Sequence, residues 1–129
     1  MKTLILAVLA TSLFFSANSQ AELTMVVALP DGTRSYVDFD EVVKAGNLAY
    51  FTQIFSYVEP RRNEVYSYTQ YIKVNCDTLQ SAMLILSAYK LPKAQGEPLM
   101  VKPFPDPKWE GADYDGAHFK NIRSKVCNS

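Results

Sequence analysis

The chain has 129 residues, 13 lysines and arginines against 13 aspartates and glutamates, one histidine and two cysteines. Such a length holds one domain with a modest core. A balanced charge argues against nucleic acid as the main partner, because binding a polyanion requires a basic stripe that displaces counterions.

Residues 1–21 have the three-part pattern of an export signal: Lys2, an apolar run from Leu4 to Phe15, then a small and polar stretch from Ser16 to Ala21. Cleavage is expected after Ala21, with Ser19 as the alternative. The apolar run is shorter than the roughly 20 residues that a bilayer span needs, so no stable membrane insertion is expected after cleavage. No cysteine stands at the junction to carry a lipid anchor. The expected product is a single domain over residues 22–129, periplasmic or secreted.

Within that domain the pattern is strands first and a helix last. Leu23 to Leu29 is an apolar strand closed by the turn Pro30-Asp31-Gly32, and Arg34 to Phe39 follows as its hairpin partner. Asp40 to Ala45 reads as a short helical turn stopped by Gly46. Leu48 to Tyr57 and Val65 to Cys76 are long strands rich in aromatic and β-branched residues, joined by the loop Val58 to Glu64. Leu79 to Tyr89 and Pro98 to Lys102 complete a six-stranded antiparallel meander, and the fold class is α+β.

After the proline-rich segment Pro103 to Trp109, Asp115 is placed to cap a helix on which Phe119, Ile122 and Val126 recur at helical spacing. Cys76 and Cys127 are the only cysteines, and in an oxidising compartment they are expected to pair. Closing a loop of about 50 residues contributes on the order of 4 kcal/mol in the chain-entropy model. The bond would lay the helix on the sheet face that carries Cys76, Val74, Ile72 and Tyr68, while Ser67, Thr69, Tyr71 and Lys73 point to the other face. Six strands span nearly 30 Å, whereas one helix covers about 10–12 Å. The aromatics of the central strands, Tyr50, Phe51, Phe55, Tyr57, Tyr66, Tyr68 and Tyr71, therefore either complete the core or form a partner surface.

Chemistry is sparse. His118 has no nucleophile motif beside it and reads as a packing or surface residue. Asp38, Asp40 and Glu41 suit a helix start better than a cation site. Asp113-Tyr114-Asp115-Gly116 resembles a fragment of a calcium loop, yet the positions that need an acid are Gly111 and Ile122. Trp109 is expected to plug the core at the sheet edge. Neither a cofactor nor a metal is expected. The doublet Arg61-Arg62 is the densest basic cluster, and the candidate partner surface comprises Tyr57, Arg61, Arg62, Tyr66, Tyr71 and Lys73.

Several residues together carry a family resemblance: Tyr36-Val37-Asp38, Gly46, Phe51, Ser67 nine residues before Cys76, Tyr89, Gly96, Trp109 and Val126-Cys127. In their order and spacing the chain resembles the bacterial surface-adhesin protein E family across nearly all of the mature chain. The resemblance implies a non-enzymatic protein whose partner is another protein. The family's named adhesin engages host matrix and plasma proteins such as laminin and vitronectin; unlike it, this chain has no lipid-bearing cysteine. An envelope protein or a second copy, joined as a homodimer through apposed open sheets, would suit the aromatics equally well. The alternative is a periplasmic inhibitor or immunity protein that blocks a toxin or cell-wall hydrolase, which also needs small size, a disulfide and a rigid surface.

Overall fold

Strand-forming residues in nine-residue runs make the centre of the sheet, because β-branched and aromatic side chains suit a pleated, half-buried surface. These are β4 (Leu48–Ser56), β5 (Ser67–Asn75) and β6 (Ser81–Tyr89). The computed structural model describes residues 22–129; the export signal expected over residues 1–21 lies outside them. Shorter strands flank the centre: β1 (Thr24–Ala28), β2 (Arg34–Val37), β3 (Val43–Ala45) and β7 (Pro98–Pro103). Every pairing is antiparallel, in the order β1-β2-β4-β5-β6-β7. One helix, α1 (Ala117–Cys127), follows the strands, as the α+β reading requires.

The seventh strand is β3. A helical turn expected over Asp40 to Ala45 is instead a 3-10 turn at Phe39–Glu41 followed by β3, which pairs with the first residues of β4. Asp38 starts that turn, its carboxylate accepting the Asp40 N–H at 3.0 Å. Gly46, at φ +61°, and Asn47 then form a two-residue hairpin between Ala45 and Leu48. A left-handed glycine at the first central position suits such a hairpin, and Val42-Val43 prefer the extended backbone. β2 and β3 thus share one edge of β4, β2 against Gln53 to Ser56 and β3 against Leu48 to Tyr50.

Strand alternation decides which residues meet α1. Ala49 and Phe51 of β4 stand opposite Val74 and Ile72 of β5. With Val27 and Val37 they bury against Ile122 and Val126, and Cys76, Leu79 and Phe119 pack around that core. The disulfide joins Cys76 to Cys127 across 51 residues with a Cα–Cα distance of 5.6 Å. At the same end of the helix, Lys44 Nζ donates to the Cys127 carbonyl oxygen at 2.7 Å, where a cation complements the helix dipole. Lys125 Nζ lies 4.5 Å from the centre of the Phe39 ring.

Two expectations need correction. Asp115 does not cap α1: the residue at that position is Gly116 with no side-chain cap, and the Asp115 carboxylate accepts from Arg123 Nη1 at 2.8 and 3.0 Å. A guanidinium buried to 3 % exposure requires a countercharge, which outweighs capping. Trp109 is no core plug, being 39 % exposed with Lys73 Nζ 4.8 Å above its ring. Ser67 stands on the far face, as alternation requires, and is wholly buried there. Its hydroxyl donates to the Leu91 carbonyl at 2.6 Å and accepts the Ala94 N–H at 2.8 Å. It thereby holds a turn in which Lys93 and Ala94 both have positive φ.

Candidate partner surface

Four of the six residues expected to face a partner fall into two groups on opposite faces. Tyr71 and Lys73 lie on the face away from α1, where Tyr71 stacks on Tyr50 with ring centres 6.2 Å apart. Lys73 is engaged by Trp109. Tyr57 and Arg61 come together on the helix side, at the end of β4, with the Arg61 guanidinium 4.5 Å above the Tyr57 ring. Arg62 is exposed at the start of the 3-10 turn Arg62–Glu64. Tyr66 is half-buried, its backbone tied to Tyr57 and Tyr89 by hydrogen bonds of 2.9 Å each.

Around Tyr57 an aromatic cluster builds upward from the sheet. Phe55 and Tyr68 are cross-strand partners and stack with centres 4.7 Å apart and planes 9° from parallel. Phe119 of α1 approaches Phe55 at 6.2 Å, and Tyr57 lies 5.8 Å from Tyr68. Aromatic pairs at such separations add to the area they bury. Burial and then the neighbouring Tyr57 push the Tyr68 hydroxyl well above its ordinary value of 10.0, since both disfavour a phenolate.

Arg61 closes the cluster on the outside. Its Nη2 donates to Asp31 at 3.3 Å, and the two side chains are 58 % and 53 % exposed. The Asp31 carboxylate also accepts the Thr33 N–H at 2.9 Å. Chiefly that bond, with Arg61 beside it, holds its pKa below the usual carboxylate value. Gly32 lets this turn lie against the loop after β4: at its φ of +88°, a Cβ would come within 2.5 Å of Val58 Cγ2. The result is a hollow lined by Asp31, Thr33, Tyr57, Arg61, Tyr68 and Phe119, in which a cation is held over an aromatic ring at the surface.

Asp31 and Arg123 are the residues that sequence reasoning missed. Asp31 was legible only as a turn former. Arg123 stands four residues after Phe119 and three before Val126, on the buried stripe, with an aspartate eight residues before it. His118 is exposed on α1, and the carboxylates of the calcium-like fragment are engaged by helix cations, Asp113 by Lys120 at 3.1 Å and Asp115 by Arg123.

Among the described residues no helix is long and apolar enough to cross a membrane. A comparison with curated proteins gives no match. The family model for surface-adhesin protein E matches residues 24–128, from β1 to the residue after α1. It points to an exported or surface protein with a protein partner, and to a non-enzymatic one. A sheet whose C-terminal helix is fastened by Cys76–Cys127, together with that match over nearly every described residue, places the chain in the surface-adhesin protein E family.

Proposed function

We propose that the protein is exported by cleavage of residues 1–21 and binds another protein through the hollow and loop around Tyr57, Arg61 and Arg62. The observation that carries the reading is the Arg61 guanidinium held over Tyr57 and against Asp31 while all three side chains remain reachable. An arginine ordered before contact loses little side-chain freedom on binding, and arginine and tyrosine are the side chains on which binding energy concentrates. Matrix and plasma proteins of the laminin and vitronectin kind are the partners that membership of the family favours. Tyr71 and Lys73, which lie on the opposite face, would belong to a separate contact.

The test is binding of the mature protein to immobilised laminin and vitronectin, with protease shaving of intact cells to establish surface exposure. Binding to at least one of them is expected, and Arg61→Ala should weaken it by about 2 kcal/mol, roughly thirtyfold in Kd. A protease-protected protein that binds neither would overturn the reading and direct the search to envelope partners.

A further inference from the structure

Two turns of the sheet share one uncommon form. Arg62–Glu64, between β4 and β5, carries Asn63 and Glu64 at φ 62° and 61°. Pro92–Ala94, between β6 and β7, carries Lys93 and Ala94 at φ 56° and 55°. A residue with a side chain costs about 1–2 kcal/mol in this left-handed region, so such a turn lasts only where its surroundings hold it. The second turn is held. Its Lys93 N–H donates to the Ser56 hydroxyl at 3.2 Å and its Ala94 N–H to the Ser67 hydroxyl at 2.8 Å, both serines being buried.

The first turn has no such anchor. Every residue from Val58 to Glu64 is exposed, and among the described residues no side chain accepts an N–H of Arg62, Asn63 or Glu64. The loop is closed by the Arg61 N–H, which donates to the Val65 carbonyl at 2.7 Å, and by the exposed ion pairs Arg61–Asp31 and Lys90–Glu64, each 3.3 Å. Exposed pairs contribute about 0–1 kcal/mol, and straightening the turn returns the cost of two left-handed residues. Local opening is therefore easy here. Other basic residues are better kept: Lys44 and Lys73 stand in paired strands, Lys120 and Lys125 in α1, and Lys93 in the anchored turn.

We propose that the Arg62–Asn63 bond is a site of limited proteolysis, the substrate of a serine protease whose acidic specificity pocket takes arginine. Arg61 is the less available neighbour, its side chain held over Tyr57 and against Asp31. Water adds across the amide: the C–N bond breaks, Arg62 keeps a carboxylate and Asn63 becomes an ammonium terminus. The products, residues 22–62 and 63–129, stay paired from Leu48↔Asn75 to Ser56↔Ser67. Cys76–Cys127 lies wholly within the second, so the helix remains fastened while the loop ceases to be continuous beside Arg61. The proposal is independent of partner binding at Arg61.

The test is digestion of the native mature protein with a trace of trypsin, without reductant, followed by intact mass and gel filtration. The first cut should fall after Arg62, and its two products should co-elute under native conditions yet separate under denaturing ones. Arg62→Gln should slow that cut at least about a hundredfold and leave the melting temperature unchanged. Urea below the unfolding transition should leave its rate nearly constant, because local opening exposes little new surface. A first cut at any other lysine or arginine, an undiminished rate for Arg62→Gln, or cutting that appears only as the whole protein unfolds would each overturn the proposal.

Discussion

The two ends of α1 are packed in opposite ways. At its C-terminal end Val126 is wholly buried, Ile122 nearly so, and the disulfide and the Lys44 bond to the Cys127 carbonyl fasten the last turn. At its N-terminal end Gly116 offers no side-chain cap, Asp115 is turned toward Arg123, and cavities lie on both sides of Phe119. The difference shows that one end fixes the helix and the other does not have to. Side chains of the free end are available to hold space open, which a helix pinned at both ends by close packing would not allow.

The largest effect should come from unfastening the closed end. Cys76→Ala with Cys127→Ala should lower the free energy of unfolding by on the order of 4 kcal/mol in urea titrations. A loss below about 1 kcal/mol would show instead that packing alone secures that end. A second pair of variants compares the ends directly. Val126→Ala removes two methyl groups from a site with no room to spare and should cost about 2–3 kcal/mol, whereas Met83→Ala borders space already open and should cost about 1 kcal/mol or less. Equal costs would mean that the cavity at the free end closes in solution.

The third effect is confined to high pH. The Tyr68 hydroxyl titrates above its ordinary value of 10.0 in the folded protein. Its contribution is therefore complete below pH 10.0 and is lost as pH rises toward the folded value, because the unfolded chain releases that proton first. Tyr68→Phe should move the alkaline unfolding midpoint upward. An unmoved midpoint would show that the aromatic cluster next to the free end does not exclude water from that hydroxyl.

The closed end was readable in the sequence. Two cysteines expected to pair and the stripe Phe119, Ile122 and Val126 placed α1 on the Cys76 face, and period-two alternation sorted Ile72 and Val74 from Tyr71 and Lys73. The free end was not, because its residues act against their local preferences. Asp115 has the composition of a helix cap, but a buried guanidinium eight residues on claims its carboxylate. On the face away from α1 the same holds for Ser67, which reads as an outward strand residue although a turn 24 residues later folds back over its hydroxyl. Contacts of that range leave no mark in a periodicity. β3 was legible and misread: Gly46-Asn47 is a hairpin signal of two residues, and a helix stop was inferred from the same glycine.

The outer strands bear on how the protein tolerates crowding. β7 presents Leu99, Met100 and Val101 at about half exposure along an edge that no other described strand covers, the arrangement that invites sheets to grow from one molecule into the next. It begins and ends with proline, which has no N–H to offer a neighbouring strand, and Lys102 adds a charge that an approaching copy would have to bury. At the opposite edge, the register of β1 breaks between Met25 and Val27, and such a bulge twists a strand out of line with a would-be partner. Both borders of the described sheet are thus poor templates, which disfavours edge-to-edge growth from one molecule into the next despite so much strand.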